Sequence, residues 1–127
     1  MQRFQQYIGG VFEDGAACFE SLDPATGQPW AVMPEASAQD VGRAVEAAWT
    51  AFHGRAWAGL TASARGKLLY RLADLVQAAA PKLAALETRD TGKIIRETSA
   101  QIAYIAEYYR YYAGLADKIE GAHLPID

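Results

Sequence analysis

The fold class this sequence predicts is α/β: mainly helical, with short β-strands and a hairpin at the start. Two patterns carry that reading. Residues 7–34 are short apolar pieces broken by Asp-Gly, Asp-Pro and Thr-Gly steps, as strands and turns are. From Ser37 onward, apolar residues recur at three- and four-residue spacing, the helical period. Size is a third observation: 127 residues suffice for one ordinary domain and leave no room for two.

Taken in order, Tyr7-Ile8, Val11-Phe12 and Cys18 to Leu22 are the first strand pieces, and Asp14-Gly15 gives a hairpin-type turn signal between the second and third. Asp23-Pro24-Ala25-Thr26-Gly27 has Asp and Pro in the first two positions of a type I turn. Trp30 to Met33 is a further short strand, closed by Pro34. Ser37 and Asp40 form a capping-box pattern, and Val41, Ala44, Val45, Ala48, Trp49 and Phe52 continue it as a helix over about 37–52. His53 to Leu60 reads as a loop. Thr61 caps a second helix over about 61–79, with Ala64, Leu68, Leu72, Leu75, Val76 and Ala79 as its core face. Pro81 ends that helix and opens a third over about 81–91, which Gly92 stops as a left-handed cap.

The last helix, over about 94–116, carries five tyrosines. Tyr104, Tyr108, Tyr111 and Leu115 line one face, while Ile102, Ile105, Tyr109, Tyr112 and Ala116 line a second. A helix apolar on most of its circumference needs neighbours on several sides. A few short strands cannot supply them.

Composition excludes several classes of function. A net charge of −3 gives no footprint for nucleic acid or an anionic membrane. No apolar run approaches the roughly 18 residues of a membrane span. The start, MQRFQQYIGG, lacks a secretory core, and the single Cys18 can form no internal disulfide; both point to a cytoplasmic location.

The candidate motifs are each incomplete. Gly9-Gly10 follows a strand but lacks the G-x-G-x-x-G spacing, and Gly92-Lys93 lacks the upstream glycine and following Ser or Thr of a P-loop. Cys18 sits in a strand pattern with no histidine nearby, which favours a buried or edge-strand thiol over a nucleophile. His53 and His123 stand alone in loops without metal-ligand spacing. Glu87 and Asp90, three apart, can share a helix face, but Asp90 lies at the unfavourable end of the helix dipole. A backbone hydrogen bond or a bound cation would account for it. These residues alone complete no catalytic constellation.

The ordered series YIGG, FESLDPATGQ, DVGRAVEAAWTAF, RGKLLYRLADL, LAALETRDTGK, YYAGLADKIEG and LPID resembles the N-terminal portion of the NAD(P)-dependent aldehyde dehydrogenase superfamily, from about Tyr7 to Asp127. LETRDTGK with RYYAGLADK is its most specific part. The resemblance implies an α/β parent fold of Rossmann type, with residues 1–127 forming the N-terminal part of the cofactor-binding domain and no catalytic domain in this chain. It implies oxidation of an aldehyde substrate to a carboxylic acid with NAD or NADP, through a cysteine thiohemiacetal and thioester. The family's catalytic cysteine and glutamate, and its cofactor-contacting residues, lie downstream of LPID. No catalytic or cofactor-binding residue is therefore assigned here, and Cys18 does not match the nucleophile's motif.

Three features carry over by position. Asp90, with the backbone at Ser21 and Leu22, matches a structural monovalent cation site for K+ or Na+. Ala100 and Tyr104, with Tyr108 one turn further, match the helix that lines the aldehyde entry tunnel. The YIGG and DPATG segments match a region beside the cofactor domain that does not touch the cofactor. One departure is Ile94, where many members have proline after DTGK; it leaves the start of the last helix open. The family implies a homodimer or homotetramer as the full-length enzyme, with the fragment alone inactive. The alternative reading is a non-catalytic helical protein-interaction module derived from such an enzyme.

Overall fold

A computed structural model describes residues 1–126. The chain opens with five strands: β1 (Gln2–Arg3), β2 (Gln6–Ile8), β3 (Val11–Glu13), β4 (Ala17–Leu22) and β5 (Pro29–Glu35). Five helices follow: α1 (Ala38–His53), α2 (Arg55–Ala58), α3 (Ala62–Ala78), α4 (Ala80–Thr91) and α5 (Ile95–Leu115). β2 and β3 form an antiparallel hairpin. β5 lies between β1, which runs parallel to it, and β4, which runs antiparallel.

Two turn expectations are corrected. The hairpin turns at Gly9-Gly10, with Ile8 opposite Val11. Both glycines have positive φ, 60° and 91°, as a two-residue turn compatible with strand twist requires. Asp14-Gly15 instead passes the chain from the hairpin to the separate three-stranded sheet. Pro34 does not close β5 but lies within it, opposite Cys18. β1 ends at Arg3, opposite Val32, so Pro34 lies beyond the reach of its ladder and its missing N–H is tolerated there. The Asp23 turn forms as the Asp-Pro step predicts: Thr26 N–H donates to the Asp23 carbonyl at 3.2 Å, and the Asp23 carboxylate accepts from Ala25 N–H at 2.9 Å.

The helices begin where their sequence signals place them. Ser37 and Asp40 exchange both bonds of a capping box, and Thr61 Oγ1 accepts from Ala64 N–H at 3.2 Å. The expected loop after His53 contains the short α2. α4 ends at Gly92, whose φ of 75° reverses the chain into α5.

α3, α4 and α5 pack together, and all their buried residues but Ile102 are small: Gly66 and Ala73 on α3, Ala84 on α4, and Thr98, Ala106 and Ala113 beside Ile102 on α5. This corrects the core face read for α3, since Leu68, Leu72 and Leu75 are exposed. Small side chains let two helix backbones approach closely, and a pattern search weighted toward large apolar residues misses that seam. α5 is covered on one side only. Tyr104, Tyr108, Tyr111 and Tyr112 are exposed, as are Val41, Val45, Trp49 and Phe52 on α1. Trp30 and Ala31 are the buried pair of the sheet.

Candidate functional site

The long-range geometry converges where the β4–β5 turn meets the α4–α5 turn. Ser21, near the end of β4, donates its hydroxyl hydrogen to Asp90 Oδ1 at 2.5 Å, across 69 residues of sequence. Leu22 follows a register shift in the ladder, where it stands opposite Pro29, which has no N–H to give. Its side chain is exposed. Next to Asp90, Arg89 Nε lies 3.7 Å from Asp23 Oδ2, and the guanidinium carbon sits 5.3 Å from the centre of the Trp30 ring. A Cβ built on Gly92 would stand 3.1 Å from the Pro24 side chain, so the two turns are in contact. An open pocket of about 300 Å³ beside them is lined by Phe4, Trp30, Met33, Leu86, Asp90 and Thr91. Asp90, awkward for a helix end in isolation, thus has a hydroxyl partner.

The second candidate surface is the uncovered side of α5. Ala100, Tyr104 and Tyr108 are each one turn apart and exposed. The Tyr104 and Tyr108 ring centres are 6.2 Å apart, and the Tyr108 and Tyr112 centres 4.7 Å. The Tyr108 hydroxyl donates to that of Tyr112 at 3.4 Å.

The other candidates stay apart. Cys18 is exposed on β4, an edge strand. His53 Nδ1 lies 2.9 Å from the Trp49 carbonyl, and its ring is tilted 41° against that of Trp49. His123 is exposed. Lys93 Nζ donates to Glu87 Oε1 at 2.8 Å and to Gln101 Oε1 at 3.3 Å, tying α4 to α5 across Gly92. Among the described residues, no three His, Cys, Asp or Glu side chains converge as a metal cluster, and no helix is long and apolar enough to cross a membrane.

The family profile described as "Aldehyde dehydrogenase family" matches residues 12–127. The chain belongs to the aldehyde dehydrogenase family. It is 71 % identical over 127 residues to a (Z)-2-((N-methylformamido)methylene)-5-hydroxybutyrolactone dehydrogenase of Acinetobacter baylyi, covering all of this chain and 26 % of that protein. It is 44 % identical to aldehyde dehydrogenase family 2 member B4, mitochondrial, of Arabidopsis thaliana, over 97 % of this chain and 23 % of the relative. Among solved structures, the NAD+ complex of an aldehyde dehydrogenase from Bacillus cereus superposes with a TM-score of 0.92 at 38 % identity, over 99 % of this chain and 26 % of that one. This aldehyde dehydrogenase chain therefore spans about a quarter of the length of the relatives it matches.

Two contacts of the aldehyde dehydrogenase chain escaped the sequence reading. One is the Asp23–Arg89 pair. The other joins Thr88 and Thr98, whose hydroxyl oxygens are 2.8 Å apart, with Thr98 fully buried. A signal for the second exists: the two threonines lie four residues before and six after the Gly92 reversal, nearly equidistant, as facing residues of a helical hairpin are.

Proposed function

We propose that this chain is the N-terminal part of the cofactor-binding domain of an aldehyde dehydrogenase that oxidises an aldehyde to a carboxylic acid with NAD or NADP. The observation that carries this reading is the family match over residues 12–127 together with the 71 % identity to the Acinetobacter baylyi enzyme. A nicotinamide bound by the enzyme would supply the hydride acceptor. The residues of this chain do not fit a cofactor cradle: Gly9-Gly10 is a hairpin turn, and no helix follows it. The chain's own part is structural and directional. It carries the proposed tunnel face of Ala100, Tyr104 and Tyr108, and the proposed cation ligands Ser21, Leu22 and Asp90.

The substrate class proposed is a 5-hydroxybutyrolactone or the aldehyde it opens to. Such a lactone is the ring-closed form of an aldehyde bearing a carboxylate, so both forms present the same carbon for hydride removal. The test is turnover by the enzyme that carries this sequence. NAD- or NADP-linked oxidation of 5-hydroxybutyrolactones in preference to straight-chain aldehydes supports the assignment, and the reverse preference overturns it. A cytoplasmic location and a homodimer or homotetramer are proposed for the enzyme; light scattering giving a monomer overturns the latter.

The residues present fit a monovalent cation. The donor set is all oxygen, a carboxylate and a hydroxyl already converge, and the irregular ladder at Ser21 and Leu22 disturbs backbone pairing there. Such a cation would neutralise a carboxylate at a helix C-terminus. Asp90→Ala in the enzyme is expected to abolish the gain in melting temperature given by potassium or sodium. A gain that survives the substitution overturns the site.

A further inference from the structure

We propose that Thr88 and Thr98 are a positioning pair that fixes the rotation of α5 about its own axis, and with it the aim of Tyr104 and Tyr108. The inference rests on the tunnel reading of the α5 face given above. Its starting point is the head of α5. Ile94, the N-cap residue, offers no side-chain cap. Further along, the covered side of α5 is Ile102, Ala106 and Ala113, packed against a seam that includes Gly66 and Ala73. That seam is apolar and adds no directional bond to its packing.

Thr98 is the exception. It is fully buried, the first buried residue of α5, and its hydroxyl makes two short contacts. It donates to the Ile95 carbonyl at 3.1 Å, so the 2.8 Å contact with Thr88 has Thr88 as the donor and Thr98 as the acceptor. The hydroxyl of α4 thus feeds one that is already committed to the backbone of α5. This chain of two bonds is directional, and its Thr98 end is buried, where an unmade bond costs about 1–3 kcal/mol. The other polar ties of α5 to its neighbours, Arg110 to Asp74 and Gln101 to Lys93, are on the surface, where water competes with them.

Geometry gives the consequence. Thr98 and Tyr104 are six residues apart, which at about 100° per residue places them roughly 120° apart around the helix. Side-chain tips lie about 5–6 Å from a helix axis, so a turn of about 10° moves them about 1 Å. Displacements of about that size at a positioned substrate can cost about a hundredfold.

The test uses the enzyme that carries this chain, with Thr98→Val, Thr88→Val, Thr98→Ser and Tyr104→Ala compared on a short and a long aldehyde. Thr88→Val leaves the buried Thr98 bonded to Ile95, so it reports even if Thr98→Val fails to fold. The expected result is a rise in KM for the long aldehyde of about tenfold or more in both valine variants, up to the roughly hundredfold that a full 1 Å displacement can cost. kcat for the short aldehyde should stay within about twofold, and Thr98→Ser should restore the parent values. A merely structural role would lower the melting temperature and leave the KM ratio of the two aldehydes unchanged. If Tyr104→Ala shifts that ratio and Thr88→Val does not, the positioning role is overturned and the tunnel survives. If Tyr104→Ala leaves the ratio unchanged, both fall.

Discussion

Single residues set the ends of the helices, and two of them lead to predictions. Ile94 has φ −71° and ψ 141°, the backbone that proline adopts naturally, and its amide makes no backbone hydrogen bond. A proline at this position could hold the same conformation, and α5 starts at Ile95 without one. Ile94→Pro is expected to stabilise the fold by about 0.4–1 kcal/mol, by restricting the unfolded chain; a lower melting temperature would contradict this. Asp40 belongs both to the capping box and to a network with Arg43 and Glu13, which joins α1 to β3. The Arg43 guanidinium, followed by Ser37, holds the Asp40 carboxyl well below the usual carboxylate range. Its folded value lies below its unfolded value of about 3.9. The stabilisation is thus complete above that value and is lost as pH falls below it. Asp40→Asn is expected to flatten the pH dependence of stability between about pH 4 and 2, read from melting temperatures across that range. Equal slopes for variant and parent would sink the assignment.

At the level of elements, the α3–α5 seam depends on a missing side chain. A Cβ on Gly66 would stand 2.7 Å from the Ala113 carbonyl oxygen and 3.3 Å from Ala116 Cβ, and backbone cannot swing away as a flexible side chain can. Gly66→Ala is expected to push the helices apart and destabilise by about 1–3 kcal/mol, despite alanine's better helix propensity. Chemical denaturation measures the sum of the two effects, and a net gain in stability would mean the helices separate at no cost. The same seam marks the limit of what the sequence discloses. Helix limits were legible because Ser37, Thr61, Pro81 and Gly92 act locally, each on backbone groups a few residues away. The packed face of α3 was not, because Leu68, Leu72 and Leu75 satisfy the same period as Gly66 and Ala73 and are larger. At the site, a reason for Asp90 to be tolerated could be sought from its helix position alone. That Ser21 supplies a bond to it depends on a contact 69 residues away, which no local pattern encodes. The hairpin was misplaced because Gly9-Gly10 and Asp14-Gly15 are both competent turns, and only the pairing of Tyr7 with Phe12 chooses between them.

For the molecule as a whole, the main fact is how much apolar surface is open. Trp49 and Phe52 on α1, Leu75 on α3, and Tyr104 and Tyr111 on α5 are each at least 60 % exposed. Patches of this kind mark surfaces made to be covered. The isolated 127-residue polypeptide is expected to bind hydrophobic dyes, to self-associate, and to give no NAD-linked aldehyde oxidation. A dye-silent monomer with a cooperative melt, or measurable turnover, would refute this. The meeting of the two turns has a further effect, on timing. Pro24 rests on Gly92, Ser21 on Asp90, and Trp30 under Arg89, so the sheet is secured by residues made long after it. At about 5–20 residues per second of synthesis, β4 and β5 leave the ribosome roughly 3–14 s before the helix turn that holds them. During that interval β4 and β5 lack the helix contacts that hold Ser21, Pro24 and Trp30.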